Sequence, residues 1–356
     1  MNSKQHTLVI LAPAFPADET DSAWVPSKQL FVQVLKKQFP SLHIEVLTFN
    51  YPYHTHTYYW QGATVTSFNG MHARKLQRAG VWMRVWQKLR ALRKRSNIIG
   101  LFSFWCGECA LVGSYFGKLH HIPHYCWVSG QDAKRENRLV KLIRPGEAEL
   151  VTISRFLTDR FYASHAIRPQ HLIPIGIDAT QFAPSNGIRD IDILGAGSLI
   201  PLKQYAVFIS AVKQLQQQFP GIKAVLCGGG AEQERLQAQI DALQLQNNIT
   251  ITGMLHHHEV LQYMQRSKVF LHPSAYEGFG AVCLEAMYAG CQVISFTDPM
   301  YLQLSNWHIV QNESMMVEKA AALLHDTHTV YQPFLLYSMS DSVKAVMRLF
   351  QYAEPA

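Results

Sequence analysis

The chain has 356 residues, which at roughly 150 residues per domain is enough for about two domains with hydrophobic cores of their own. Hydrophobic residues make up 48% of the chain and charged residues 16%, and the mean hydropathy is -0.04. This balance is too apolar for a disordered chain and too polar for a protein with several membrane spans. We therefore expect a folded, soluble protein.

The formal net charge of +7 comes from one segment of the chain. Nine lysines and arginines and no acidic residue lie between Met71 and Ser96, which leaves the rest of the chain with a net charge of about -2. One basic segment on a near-neutral protein predicts a local anionic partner and argues against a nucleic-acid partner, which needs a continuous basic track.

The basic segment has the periodicity of an amphipathic helix, with two tryptophans on its apolar face. One interpretation is a patch that binds an anionic membrane surface, in which case the protein is cytoplasmic and peripheral on the inner face of the membrane. The alternatives are that the apolar face packs on a sheet while the cations stay solvated, or that the cations collect a phosphorylated acceptor. The residues of this patch are Trp82, Arg84, Trp86, Lys88, Arg90, Arg93, Lys94 and Arg95.

Six cysteines in a chain of this length do not form a disulfide framework, which fits a reducing cytoplasm. Cys106 and Cys109 have the spacing of a redox or metal pair, with His120, His121 and His124 nearby. A zinc site normally shows a second such pair, so we expect no metal here.

Two apolar stretches raise the question of membrane targeting. The run Leu8 to Leu11 is short and ends near Pro13, which is typical of a buried strand and not of an export signal. The stretch from Ile98 to Gly117 carries Glu108 near its centre and is split by glycines, so we expect a strand, a turn and a helix instead of a membrane span.

Short apolar runs alternate with segments of helical period along the whole chain, which predicts an α/β protein with two parallel, doubly wound sheets. Turn residues near 183–187 separate an N-terminal domain at 1–180 from a C-terminal domain at 186–335, and a helix at about 338–356 is expected to pack back on the first. Ligands of such sheets bind at the carboxyl ends of the strands, so we expect the domains to face each other across a cleft. The predicted strands are 8–11, 44–49, 98–104, 125–128, 150–153, 172–177, 191–194, 224–227, 249–251, 269–271 and 293–295.

A glycine-rich turn with two glutamates follows the predicted strand at 269–271. Gly278 and Gly280 let a ligand approach the backbone, and the helix that follows directs free N–H groups at an anion such as a diphosphate. Glu277 precedes that helix, and Glu285 lies within it, where its carboxylate suits a ribose diol. The alternative is an ordinary glycine turn with one solvated glutamate and one favoured by the helix dipole.

Two further turns follow strands of the same half. Gly197 and Ser198 end one strand, and Lys203 stands five residues after Ser198, where its charge suits phosphate oxygens. Gly228 and Gly229 follow the next strand and allow a nucleotide to approach. Each turn is equally compatible with an ordinary strand-to-helix connection.

These residues resemble the retaining GT-B glycosyltransferases that use nucleotide-diphospho-sugars, known as glycosyltransferase family 4 or group 1. The resemblance implies a GT-B fold of two Rossmann-like domains and a nucleotide-sugar donor with no metal or other cofactor. It also implies that Lys203 neutralises the donor diphosphate, that Glu285 holds the ribose and that Glu277 faces the sugar at the reacting carbon. The motifs that carry it are Gly176-Ile177-Asp178, Gly195-Ala196-Gly197-Ser198-Leu199, Lys203, Gly228-Gly229-Gly230 and the spacing of Glu277 and Glu285.

The donor-binding residues that the resemblance implies all lie in the C-terminal half, with Met254 and Leu255 beside the base. The full set is Gly197, Ser198, Lys203, Gly228, Gly229, Met254, Leu255, Gly278, Phe279, Gly280, Ala281 and Glu285.

The N-terminal half departs from the family pattern. The diglycine loop after the first strand is replaced by residues 18–26, and histidines near the acceptor are replaced by Phe102 and by Gln131 with Asp132. Asp132 is a candidate to bind or deprotonate a sugar hydroxyl, although an Asp here is equally suited to cap a helix. The other candidate acceptor residues are Trp24, Trp105, Glu108 and Gln131.

The sequence thus predicts a retaining transferase that moves a sugar to a glycan or lipid-linked acceptor. Other enzymes on the GT-B scaffold, such as nucleotide-sugar epimerases or phosphorylases, are the nearest alternative. A non-catalytic, transferase-like subunit that binds a membrane or a partner is the other.

Overall fold

The computed structural model describes residues 4–21, 25–184 and 187–354. The chain divides into two compact units: the first runs as far as Gly176 and takes up the chain again at Met339, and the second is Ile177–Ser338. Each unit is built on one largely parallel β-sheet with helices, so the predicted α/β class with two such sheets is confirmed.

The first unit contains an eight-stranded sheet in the order β3-β4-β2-β1-β5-β6-β7-β8. All of its neighbouring strands are parallel except β3 and β4. Its strands are β1 (His6–Ala14), β2 (His43–Tyr51), β3 (Thr57–Trp60), β4 (Ala63–Ser67), β5 (Asn97–Phe104), β6 (His124–Val128), β7 (Leu150–Thr152) and β8 (His171–Leu172).

The antiparallel hairpin of β3 and β4 is absent from the sequence prediction. Gln61 and Gly62 connect the two strands with φ values of 45° and 80°, the left-handed pair that a two-residue hairpin turn requires. The prediction of a strand over 172–177 is wrong beyond Leu172, where the last strand of this sheet ends.

Helices of the first unit include one from the end of the chain. They are α1 (Pro26–Gln38), α2 (Lys75–Arg95), α3 (Glu108–His120), α4 (Leu139–Ile143), α5 (Arg155–His165) and α11 (Met339–Leu349). Ser342 of α11 accepts a hydrogen bond from the Gly176 amide at 3.0 Å and donates one to the Pro174 carbonyl at 2.7 Å. A β-carbon on Gly100 would lie 2.1 Å from the Phe350 ring. The absence of a side chain at Gly100 in β5 therefore allows Phe350, which follows α11, to pack against this strand.

The second unit contains a six-stranded, fully parallel sheet in the order β11-β10-β9-β12-β13-β14. The edge strand β14 is one that the hydrophobic pattern did not reveal. The strands are β9 (Ile191–Ala196), β10 (Ala224–Cys227), β11 (Ile249–Gly253), β12 (Ser267–His272), β13 (Gln292–Ser295) and β14 (Trp307–Ile309), and the helices are α6 (Tyr205–Gln216), α7 (Gln233–Ala242), α8 (His257–Gln265), α9 (Ala281–Tyr288) and α10 (Glu313–His325).

The region around Glu108 is a strand, a turn and a helix, β5 followed by α3, as the sequence predicted. Within the described ranges, no helix combines the length and the apolar character needed to cross a bilayer. All six cysteines are buried free thiols, and the described residues contain no cluster of three or more His, Cys, Asp or Glu side chains able to hold a metal ion.

Candidate functional site

Glu277 is the centre of a charged cluster in the second unit. It lies on the loop between β12 and α9, where its Oε1 contacts the Lys203 ammonium and lies 2.8 Å from His272 Nε2. Burial raises the pKa of Glu277, but the His272 hydrogen bond and the Lys203 charge outweigh burial and lower the pKa to about 2. Glu277 is therefore a carboxylate at neutral pH, suited to stabilise positive charge and unsuited to donate a proton.

Lys203 reaches Glu277 from a short turn between β9 and α6. This single 3₁₀ turn covers Pro201–Lys203, and Gln204 follows it with a φ of 51°, which separates the turn from α6. The lysine therefore ends a turn near the carboxyl end of the sheet instead of lying within the helix. A lysine on such a strand-to-helix loop is suited to contact the phosphate oxygens of a ligand that binds at the carboxyl ends of the strands.

The start of α9 is free of side-chain caps. Gly280 is its N-cap residue with a φ of 75°, a conformation that glycine adopts without strain, and no acidic residue occupies the first turn. No side chain of the first turn therefore neutralises the positive end of the α9 dipole, which begins just after the loop that carries Glu277.

The glycine turns after β9 and β10 lie against each other. A β-carbon on Gly228, whose φ is 145°, would stand 1.9 Å from the carbonyl oxygen of Gly197. A β-carbon on Gly229 would stand 2.9 Å from the side chain of Met254, which is itself largely exposed after β11. These contacts bring four predicted donor-binding residues together, and Gly228 must be glycine for a steric reason, because a side chain there would collide with Gly197.

Glu285 lies in α9 and pairs with a histidine from the next helix. Its Oε1 is 2.9 Å from Nε2 of His257, the first residue of α8. This hydrogen bond, which outweighs burial, raises the pKa of His257. Among the remaining donor-binding candidates, Ser198 is exposed and the Phe279 side chain is buried, so only the Phe279 backbone is available to a ligand.

Sequence reasoning missed His272 and His257. His272 ends β12, and the rule that ligands gather at the carboxyl ends of parallel strands would have singled it out. His257 belongs to a run of three histidines that signals nothing by spacing alone, and only the packing of α8 beside α9 brings it to Glu285.

The first unit holds a second buried charged group at the carboxyl ends of β5 and β6. Asp132 is 5% exposed, and its Oδ2 accepts hydrogen bonds of 2.8 Å from both the amide and the hydroxyl of Ser129. Burial raises the pKa of Asp132 to about 6 despite these bonds. Gln131 beside it is exposed, Trp105 has a left-handed φ of 85°, and Trp24 lies outside the described residues.

Lys28 of α1 belongs to the same region and was not among the residues predicted from the sequence. It is 7% exposed, and its ammonium lies 3.5 Å from the centre of the Trp127 ring. Burial lowers the pKa of Lys28 to about 7, although the charge of Asp132 acts in the opposite direction. In the described part of the chain, Lys28 forms no side-chain hydrogen bond or ion pair.

Glu108, a candidate acceptor residue, is engaged by the basic helix α2. Its two carboxylate oxygens contact the Arg78 guanidinium and accept a 3.2 Å hydrogen bond from the Trp82 indole. The Glu108 carboxylate therefore links α3 to α2, and this structural role explains its position without any contact to an acceptor.

The apolar side of α2 packs inside the first unit. Val81, Val85, Leu89 and Leu92 are buried in its core, whereas the two tryptophans of the predicted patch are only partly buried at the edge of that core. Two cations of the patch are also engaged: Arg84 donates to the Phe68 carbonyl at 2.8 Å and Lys88 pairs with Glu45 at 2.8 Å. The two tryptophans therefore lie on the apolar side of α2, as the sequence predicted, at the edge of the buried line of valines and leucines.

Four cations of α2 remain on the surface. Arg90, Arg93, Lys94 and Arg95 are exposed, and none forms an ion pair with an acidic residue of the described ranges. A groove of about 510 Å³ lies beside the first half of the same helix and is lined by Trp82, Trp86 and apolar residues of α3 and α4.

Most of the second unit matches the model of a known protein family, and curated proteins match parts of the chain. The family model described as "Glycosyl transferases group 1" matches residues 179–327. The chain is 35% identical over 103 residues to the 2-deoxystreptamine N-acetyl-D-glucosaminyltransferase of Niallia circulans, a match that covers 29% of this chain and 26% of that protein. It is 26% identical over 203 residues to the phosphatidylinositol N-acetylglucosaminyltransferase gpi3 subunit of Schizosaccharomyces pombe, covering 55% and 44%. The matches thus span less than half of either relative.

Solved structures match the whole chain at low sequence identity. The sucrose-phosphate synthase of Thermosynechococcus elongatus superimposes with a TM-score of 0.70 at 16% identity, covering 98% of this chain and 95% of that one. Anabaena HepE, solved with UDP and glucose, gives a TM-score of 0.68 at 16% identity with the same coverage. These similarities establish the fold. The chain has the GT-B fold, and residues 179–327 of its second unit match the group 1 glycosyltransferase family model.

Proposed function

We propose that the chain is a retaining glycosyltransferase that moves a sugar from a nucleotide-diphospho-sugar to a glycan or lipid-linked acceptor. The contact of Lys203 with an ionised Glu277, beside the uncapped start of α9, is the observation that carries this proposal. Two relatives of this chain, those of Niallia circulans and Schizosaccharomyces pombe, are named as N-acetylglucosaminyltransferases, and HepE was solved with UDP, which supports a nucleotide-sugar donor.

The chemistry follows from where charge develops. Breaking the bond from the anomeric carbon to the diphosphate oxygen leaves an electron-poor sugar and a diphosphate anion. The acceptor hydroxyl oxygen then forms the new bond to the anomeric carbon, and its proton passes to the leaving diphosphate. Lys203 and the N-terminus of α9 stabilise the leaving anion, while the Glu277 carboxylate stabilises the sugar. Lys203 must leave Glu277 to contact the diphosphate. When it does, the Glu277 carboxylate keeps its hydrogen bond with His272. Because these groups supply the positive charge, activity is not expected to need a divalent cation.

A screen of UDP-, GDP- and ADP-sugars tests this function. We expect one of them to release nucleoside diphosphate slowly with water as the acceptor, and proton NMR before mutarotation should show the anomer of the donor. EDTA should leave the rate unchanged. Glu277→Gln should lower it by about 100-fold or more, as removal of a charged transition-state partner does.

The alternatives give different outcomes in the same screen. Release that requires inorganic phosphate would identify a phosphorylase, and isomerisation of the sugar on an intact donor would identify an epimerase. If no nucleotide or nucleotide-sugar binds in calorimetry, the chain is a non-catalytic subunit and the proposal fails.

The four exposed cations of α2 favour an anionic membrane surface as a partner, and with it a peripheral position on the inner face of a cytoplasmic membrane. Each cation near an anionic surface contributes about 1 kcal/mol, and the apolar groove with its two tryptophans lies on the same helix. The charge is concentrated, and nothing in the described residues neutralises it.

Sedimentation with vesicles tests the membrane assignment. Binding should require phosphatidylglycerol in the vesicles, fall as salt is added, and drop by about 100-fold or more when Arg90, Arg93, Lys94 and Arg95 are changed to Gln. A matched variant with Arg135, Arg138, Arg155 and Arg160 changed to Gln should bind like the wild type. Equal loss in the two variants would mean that only the net charge matters and would contradict a specific α2 patch.

A further inference from the structure

We infer that His257 is a positioning residue for the ribose of the donor nucleotide, acting through Glu285. The inference rests on the proposed function, since it takes Glu285 as the ribose-binding carboxylate. It adds a residue that neither the sequence motif nor the similarity to known proteins assigns.

The geometry joins two helices through one hydrogen bond. His257 opens α8 and Glu285 lies in the second turn of α9, and Nε2 of the histidine stands 2.9 Å from Oε1 of the glutamate. Both side chains are partly buried, with exposed fractions of 30% and 20%, so the bond lies at a surface that a ligand can reach. Glu285 Oε2 forms no hydrogen bond with any residue in the described ranges.

A glutamate on a helix needs such a partner to serve as a fixed acceptor. Its side chain has three rotatable bonds, and ordering a long side chain on ligand binding costs conformational entropy. The imidazole N–H fixes Oε1 before the ligand arrives and leaves Oε2 for the hydroxyls. A Glu285 carboxylate that is held by His257 therefore differs from one that is not in its preorganisation for the ligand, and not in its charge.

This arrangement predicts a specific signature. A positioned carboxylate favours a ribose with both hydroxyls over a 2′-deoxyribose, because the deoxy sugar leaves a prepared acceptor unpaired. A histidine that merely stabilises the fold would lower the affinity for both nucleotides equally. The ratio of the two affinities thus separates positioning from structural support.

The experiment is calorimetry of the full chain with UDP, GDP and ADP, followed by the 2′-deoxy counterpart of whichever binds. We expect the wild type to prefer the ribonucleotide by about 10-fold, one lost hydrogen bond to a charged group. His257→Leu should reduce that preference to about 2-fold. His257→Gln, which keeps an N–H donor on a side chain of similar reach, should restore most of it.

Two controls make the outcome decisive. His258→Leu changes the exposed neighbouring histidine, which forms no hydrogen bond within the described residues, and should leave the preference unchanged. An unchanged preference in His257→Leu, or an equal loss of affinity for both nucleotides, would overturn the inference while the proposed function stands. If none of the three diphosphates binds the wild type, the proposed function fails and takes this inference with it.

Discussion

Replacing Lys203 by alanine should weaken nucleoside diphosphate binding by about 10- to 100-fold. A charge-assisted hydrogen bond contributes about 1.5–3 kcal/mol, and Lys203 is the one described cation that contacts Glu277 through its ammonium group. The loss has a second component, because without Lys203 the ionised Glu277 faces the incoming diphosphate with only His272 beside it. Calorimetry with the diphosphate that binds the wild type measures the effect.

The matched variants separate the two components. Glu277→Gln removes the negative charge but leaves Lys203 free for phosphate, so it should bind nucleoside diphosphate at least as tightly as the wild type while losing transfer activity. Lys223→Ala removes an exposed lysine of the same unit and should change nothing. Wild-type affinity in Lys203→Ala would show that the diphosphate binds elsewhere.

Replacing Lys28 by methionine should stabilise the first unit by about 2–4 kcal/mol near pH 6–7. The shift of the Lys28 pKa from 10.5 to about 7 corresponds to a penalty of up to about 5 kcal/mol for burying the ammonium, and its contact with the Trp127 face returns about 2 kcal/mol. Methionine fills a similar volume without a charge, and such replacements of buried ions are often stabilising.

The pH dependence gives the sign of this effect. The folded-state pKa of Lys28 is lowered, so between about pH 7 and 10.5 the unfolded chain binds a proton that the folded chain has released, and wild-type stability should rise with pH. Lys28→Met should lack that rise, and its advantage should be full below pH 7 and vanish above pH 10.5. The raised Asp132 pKa of about 6 makes the opposite contribution below pH 6, and because the Lys28 charge lowers that pKa, Lys28→Met should raise it further.

Denaturant unfolding followed by tryptophan fluorescence measures this prediction, because five of the six tryptophans that the structure describes lie in the first unit and one, Trp307, in the second. Lys28→Arg, which keeps the charge, should not be stabilised. A Lys28→Met protein that is less stable than the wild type at pH 7 would show that the ammonium has a compensating partner when folded.

The sequence predicted the core of each sheet because their central strands are continuous apolar runs, and the glycine turns because each follows such a run directly. It missed β3, β4 and β14 for the same reason. β3 and β14 are edge strands and β4 lies next to the edge, and in all three short strands polar or aromatic residues leave no apolar run to detect. The amphipathic period of α2 predicted one apolar face but left open whether that face packs on a sheet or binds a membrane. In the structure Val81 and Val85 are buried in the core of the first unit, and Trp82 and Trp86 pack at its edge.

The sequence by itself determined the α/β class and the two sheets, and it predicted the residues of a donor motif, since periodicity and motif spacing are local properties of the chain. Only the tertiary structure decided which charges meet: Lys203 and His272 at Glu277, His257 at Glu285, Arg78 at Glu108, and Lys28 on the face of Trp127. The physical reason is that burial and electrostatic pairing depend on contacts between distant segments. The same lysine type is a solvated cation in the second half of α2 and a buried, partly neutral amine in α1, and no local pattern distinguishes the two.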